Sequence, residues 1–322
     1  MLDLALATLL SPVILFFLLG LSAALAKADI TIPEAISKGV AIYLMMAIGL
    51  KGGFEMAANG LNLKIVSVMI TGVLLSFTLP AIAYALLRTT TKLPAIDAAA
   101  AAAHYGSISI VTFVAATQAI ELAGLNNAGY LVAVAALMET PAIMTALLLA
   151  GRHRPKSQNG ETGLIREVAL NASVVVLVGA LIIGWVTGAD GKAQVQGVFI
   201  TPLQGVLCLF LLEMGLSAGR GLRHGWRLLQ PATIGFGIYM PLISASIAAV
   251  FSALLGLSAG ESALLMTLAA SASYIAVPAA MRIALPEAKP SIYLTLSLGV
   301  TFPFNLTLGI PIYIAVSQFI AG

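Results

Sequence analysis

The sequence predicts an all-α, polytopic membrane protein: ten transmembrane helices arranged as two inverted repeats of five spans, with two broken helices crossing at the midplane. Three observations predict it. Of the 322 residues, 60% are hydrophobic and 9% are charged, against about a quarter charged in soluble domains. Apolar runs near the roughly 20 residues that cross a bilayer recur along the whole chain, at 4–26, 33–50, 63–87, 95–121, 128–150, 167–188, 198–219, 230–256, 261–285 and 291–320. Matching motifs, including two interrupted helices, fall at equivalent places in the two halves.

The elements follow in order. Met1 to Ala26 has the length of a signal peptide, but acidic Asp3 and the absence of a basic leading segment make it the first span. The second span carries AIGLKGG (Ala47–Gly53). The fourth opens on a small-residue face, Ala98 to Ala103, that permits close helix packing, and is then interrupted by GSISIVT. The fifth holds Glu139 in LMETPAIM. The polar stretch GRHRPKSQNGETGLIRE (Gly151–Glu167) reads as a linker, dividing the chain into a repeat over 1–150, a cytoplasmic linker over 151–166 and a second repeat over 167–322. The seventh span carries EMGLSAG (Glu213–Gly219), the ninth ASASYIAVPAAM (Ala270–Met281) and the tenth VTFPFN. The single cysteine, Cys208, lies in an apolar run, so no disulfide framework exists.

Basic residues set the orientation, because they favour cytoplasmic loops. With the N-terminus outside, Lys27, Lys38, Arg88, Lys92, Arg152, Arg154, Lys156, Arg166, Arg220, Arg223, Arg227, Arg282 and Lys289 lie inside, and only Lys51, Lys64 and Lys192 outside. Both termini are then extracytoplasmic. The net charge of +3 reflects this topology rather than a nucleic-acid surface.

AIGLKGG matches EMGLSAG at an offset of 166, pairing Gly49 with Gly215 and Gly53 with Gly219. GSISIVTFVAA (Gly106–Ala116) matches ASASYIAVPAA (Ala270–Ala280) at an offset of 164, pairing Ser107 with Ser271 and Ser109 with Ser273. Pro141 can be laid on Pro303. A five-span unit repeated once reverses its orientation, the inverted-repeat plan of secondary transporters whose sites lie at discontinuous helices near the midplane. A proline inside a lipid-embedded helix removes a donor and frees a carbonyl, and half-helix N-termini offer unpaired amides and partial positive charge. The crossing would hold a small anion, with Ser107, Ser109, Ser271 and Ser273 beside the amides. The structural alternative stands beside it: serines in membrane helices bond their own backbone or allow close packing.

Glu139 is a carboxylate inside the fifth span with no basic residue in any span interior to pair it. An ionisable residue inside a membrane marks a functional site by default. It either binds a cation or stays protonated beside Thr140 or a carbonyl near Pro141. A hard cation prefers oxygen ligands, and sodium coordinated by Glu139, Thr112, Thr301, Asn305 and freed carbonyls is the first reading. His104 reads as a packed or hydrogen-bonded residue and Glu213 as a solvent-facing or gating one. His153 and His224 lie in basic loops, and the three histidines lack metal-ligand spacing, so no transition-metal site is expected. No phosphate-cradling glycine loop supports ATP drive, and nothing suggests an enzyme.

IGLKGG, HYGSISIVTFVAA, METPAI, ASASYIAVPAAMRIALPEAKPSIYL and LGVTFPFNLTLGIP together resemble the sodium-dependent bicarbonate transporter family, the SbtA-like permeases. The resemblance runs through essentially the whole chain apart from the linker. It implies a ten-span homotrimer in a bacterial inner membrane, whose interleaved repeats form a core domain that moves against a gate domain in an elevator cycle. It implies bicarbonate and sodium at the helix crossing, and inhibition from the cytoplasmic side by a small PII-like protein. By position, the family's anion site falls on Gly106, Ser107, Ser109, Ala272 and Ser273. Many family members carry Asp where Glu139 stands. The expected function is sodium-coupled bicarbonate symport. A carrier of another small anion such as nitrate or an organic acid, a cation antiporter on the same architecture, and a bicarbonate-sensing membrane protein are the alternatives. An antiporter would be expected to place a carboxylate or lysine at the crossing itself, an organic-acid carrier an arginine clamp, and a sensor more output surface; the sequence has none of these.

Overall fold

The computed structural model describes residues 10–60, 62–126, 128–151, 172–225, 230–274, 277–278, 281 and 285–322. The expected linker after Gly151 and the start of the sixth span, up to residue 171, lie outside these residues. The described helices are α1 (Pro12–Leu25), α2 (Glu34–Asn59), α3 (Leu63–Thr90), α4 (Ala95–Ala103), α5 (Ile110–Leu122), α6 (Leu131–Gly151), α7 (Ala172–Val195), α8 (Leu203–Gly225), α9 (Pro231–Leu254), α10 (Ala259–Ala270) and α11 (Pro290–Ala321). Five stretches are long and apolar enough to cross a membrane: Glu34–Ala58, Leu63–Thr90, Val175–Arg223, Pro231–Leu254 and Pro290–Ala321. The difference from ten apolar runs has identifiable causes. Val175–Arg223 joins α7 and α8, while α4, α5 and α10 are pieces of interrupted helices, each too short to span alone.

Local chemistry sets the ends of these helices. Asn62 caps α3 by accepting the Ile65 amide at 2.9 Å, and Ser258 and Glu261 form a reciprocal capping box at α10. α7 is broken at Gly188, whose φ of 54° is open to glycine and strained for a residue with a Cβ. α11 holds two π-helical turns, Ser297–Thr301 and Asn305–Gly309, on either side of Pro303. A π turn widens the helix and redirects its side chains.

Two pairs of helices pack by close backbone contact. α1 runs along α8 and α2 along α7. A Cβ on Gly215 would lie 2.1 Å from the Phe17 carbonyl oxygen, and one on Gly53 2.1 Å from that of Leu181. From the other side of each pair, a Cβ on Gly20 would lie 2.1 Å from Leu212 O and one on Gly184 2.5 Å from Leu50 O. Small residues let membrane helices approach where lipid supplies no hydrophobic drive between them. A second group, α3, α4, α5, α6, α9, α10 and α11, packs around the two interruptions, and the six alanines 98–103 are wholly buried there.

Candidate functional site

The chain between α4 and α5, His104–Ser109, and the chain after α10, Ser271–Tyr274, are both non-helical and both buried. They meet. The Ser109 amide donates to Ser271 Oγ at 3.0 Å, and the Ser273 amide donates to the His104 carbonyl at 2.9 Å. The His104 Nδ1–H donates to the Ser273 carbonyl, which leaves Nε2 as a buried nitrogen without a partner among the described residues. His104 thus acts as the hydrogen-bonded residue its sequence context suggests, tying one break to the other.

Ser109 is the N-cap of α5. Its Oγ accepts from the Thr112 amide at 3.2 Å and from Thr112 Oγ1 at 2.8 Å, meeting one of the donors that a helix start leaves open. The amides of Ile110 and Val111 have no partner among the described residues. On the other side, Ser271 Oγ donates to the Leu268 carbonyl at 2.8 Å while accepting from Ser109. Its hydroxyl is spent on the crossing. Among the described residues Ser107 Oγ is fully buried without a partner, and no hydrogen bond engages the hydroxyl of buried Ser273. Ala272 is buried between them. Gly106 has a steric part as well, because a Cβ there would lie 2.5 Å from Pro80 Cδ of α3.

Glu139 projects from α6 to this place. It is buried at 7% exposure, and no hydrogen bond or ion pair engages its carboxylate among the described residues. With Ser109, Ser273, Tyr274, Ile108, Ile110, Met45 and Leu177 it lines a cavity of about 20 Å³, enough for one water-sized occupant. The structure therefore brings Glu139 together with Ser109 and Ser273, and holds Thr112 one hydrogen bond away through Ser109.

Thr301 and Asn305 do not line this cavity. Both stand at the π turns of α11 and brace the crossing from behind. Thr301 Oγ1 bonds the Tyr105 hydroxyl at 2.7 Å and donates to the Gly237 carbonyl at 2.8 Å. Asn305 Nδ2 donates at 2.9 Å to Ala270 O, a carbonyl freed by the end of α10, and its Oδ1 accepts from Tyr313 at 2.8 Å. Asp97, which its sequence context does not single out, accepts the Lys289 amide at 2.8 Å and ties α4 to the start of α11. The second half of the ninth span, with Ile275, Ala276, Ala279 and Ala280, lies outside the described residues apart from Val277, Pro278 and Met281.

A larger cavity of about 490 Å³ opens beside the crossing, lined by residues of α2, α8 and α11 that include Lys38, Glu213 and Ser291. Glu213 faces this vestibule. Tyr274 was not singled out by its sequence context, where a tyrosine among alanines and valines reads as core, yet it borders both cavities.

Among the described residues no cluster of three or more His, Cys, Asp or Glu side chains is placed to hold a metal ion, so any cation here would rely on one carboxylate with hydroxyl and carbonyl oxygens. Residues 12–318, nearly the whole chain, match the family pattern of the Na+-dependent bicarbonate transporter superfamily. No curated protein matches the chain. The chain therefore belongs to the Na+-dependent bicarbonate transporter superfamily, and it is a transporter rather than an enzyme.

Proposed function

We propose that the protein is a sodium-coupled symporter that imports bicarbonate by an elevator-type cycle. The observation that carries this reading is the small cavity where both interruptions meet: an unpaired buried carboxylate, Glu139, faces two serines and the open start of α5. A lone buried carboxylate is costly when charged, and sodium beside it would offset that cost while leaving the amide end of α5 to the anion. Glu139 with Ser109 and Ser273 oxygens is the preferred cation set; Thr112 supports it through Ser109, and Thr301 and Asn305 hold the crossing in place. Ser107, Ser273 and the Ile110 and Val111 amides are the preferred anion contacts.

Ten spans in two inverted repeats are part of the same reading. What supports them is the reciprocity of packing, α2 on α7 and α8 on α1, with Gly53 and Gly215 at matching contacts and Gly20 and Gly184 at the facing ones. By packing, Leu50 corresponds to Leu212 and Gly53 to Gly215, one helical turn from the pairing of AIGLKGG with EMGLSAG. What supports the elevator is where the cavity lies. Ser109, Glu139, Ser273 and Tyr274 come from the group around the crossing, whereas Met45 and Leu177 come from α2 and α7, so one body can slide past the other and carry the site with it. Lys38 lines the vestibule, and Arg220 and Lys289 lie one and two residues in sequence from its lining residues Gly221 and Ser291, which supports a cytoplasmic position for it.

Proteoliposomes loaded without sodium test the reading. Labelled bicarbonate should accumulate under an inward sodium gradient and stop doing so when potassium replaces sodium. Accumulation indifferent to sodium would overturn the coupling, and nitrate or formate displacing bicarbonate at equal concentration would reassign the substrate.

A further inference from the structure

The vestibule and the crossing cavity share the side chain of Tyr274. Tyr274 is the only residue among the described ones that lines both, and it is itself buried at 8% exposure. Its backbone neighbour Ser273 is pinned at amide and carbonyl by His104, so the chain just before the tyrosine has little freedom. The ring is held differently. It meets Phe302 edge-on, with centroids 5.0 Å apart and planes at 67°, and Phe302 rests in turn on Phe17 of α1 at 5.2 Å. The Tyr274 hydroxyl lies on the same small cavity as Ser109 but at no hydrogen-bonding geometry to any of the described residues. A buried tyrosine normally finds a partner for its hydroxyl, and one without a partner can turn without breaking a buried polar bond.

We propose that Tyr274 is the barrier between the crossing site and the cytoplasmic vestibule, a positioning residue whose ring turns aside to admit or release the transported ions. The cavity behind it holds one water-sized body, so an anion larger than water reaches the Ser109–Ser273 region only when the ring moves. Its anchor on Phe302 and Phe17 connects the ring to α11 on one side and α1 on the other, the two bodies that slide in an elevator cycle. Relative motion between them would release the ring. The proposal rests on the transport reading for what passes the barrier, and on geometry alone for where the barrier stands.

The test uses the full chain with Cys208→Ala and a reporter thiol, Ser273→Cys or Ser109→Cys, in inside-out vesicles exposed to a membrane-impermeant thiol reagent. Labelling should be slow with Tyr274 present, severalfold faster in Tyr274→Ala, near the parent rate in Tyr274→Phe and slower in Tyr274→Trp. Using two reporters and substitutions of opposite size guards against one variant failing to fold. Equal labelling rates in the Ala, Tyr and Trp forms would overturn the barrier. Sodium-driven bicarbonate uptake by the otherwise unmodified protein is measured separately: its absence, with the Trp, Tyr, Ala order of labelling preserved, would overturn symport and leave the barrier standing.

Discussion

The paired helices α1/α8 and α2/α7 and the crossing of the two interruptions solve opposite problems in the same solvent. In the pairs, the closest approaches are backbone against glycine, at Gly20, Gly53, Gly184 and Gly215, and the buried polar atoms without a partner among the described residues lie elsewhere. Around the crossing, backbone groups are freed, and Ser109, Ser271, His104 and Asn305 take up several of them while Ser107, Glu139, Ser273 and Tyr274 keep polar atoms unengaged. Unsatisfied polar groups are expensive in a membrane interior. Their presence at the crossing is what the proposed ion site would use, whereas the close glycine contacts of the pairs serve packing.

The largest effect should come from breaking the tight pairs. In Gly215→Leu the first side-chain carbon alone would sit 2.1 Å from Phe17 O and 2.7 Å from Leu21 N, and neither backbone can yield without separating α1 from α8. Detergent-solubilised protein should be lost to aggregation. Gly205→Leu, on the same helix with nothing within 4 Å of the added carbon, should purify as the parent does. A stable, monodisperse Gly215→Leu protein would show that the close contact is dispensable.

The next effect belongs to the crossing. Glu139→Gln keeps size and hydrogen bonding but removes the charge, and because no partner bond is broken, folding should be retained. Loss of a charged ligand costs about 1.5–3 kcal/mol, so the sodium concentration for half-maximal uptake should rise by roughly ten- to a hundredfold. Unchanged sodium dependence would make Glu139 a neutral, structural residue.

How far these two regions were legible in the sequence follows from what each uses. AIGLKGG and EMGLSAG point to a repeat through their shared glycines, and the structure places those glycines at close helix contacts that motif matching alone does not announce. The proposed packing correspondence of Gly53 with Gly215 lies one turn from the motif pairing, since motif matching counts identities while packing counts which face is turned to the partner. GSISIVT and ASASYIAVP marked the interruptions through serine and proline. The division of labour among the hydroxyls stayed hidden. Whether Ser271 serves the ion or the backbone depends on the Leu268 carbonyl lying 2.8 Å away, and Thr301 and Asn305 are turned to Gly237 and Ala270 by π turns that hydropathy does not encode.

Thr301→Val sharpens that division with a smaller effect. The substitution keeps shape but leaves the Tyr105 hydroxyl and the Gly237 carbonyl without their shared partner. Each buried group so orphaned costs about 1–3 kcal/mol. Thermal stability in detergent should fall while the sodium dependence of uptake stays near that of the parent. A large loss of sodium affinity without loss of stability would return Thr301 to the ion site.

The smallest effect is the most discriminating, because it compares two serines two residues apart. Ser273→Ala removes a hydroxyl that lines the cavity and bonds to nothing among the described residues, so stability should be untouched. If the hydroxyl contacts bicarbonate, affinity should fall by about 1 kcal/mol or more, a severalfold rise in the half-saturating concentration. Ser271→Ala removes a hydroxyl that accepts from the Ser109 amide and donates to Leu268 O. It should lower thermal stability first, and change affinity only as far as the Ser109 cap shifts. Combining Ser273→Ala with Ser107→Ala should cost a non-additive amount of affinity, because both would meet one anion. The opposite pattern, with Ser273→Ala lowering stability and Ser271→Ala raising the half-saturating bicarbonate concentration at unchanged stability, would reverse the two roles and turn the anion towards the end of α10.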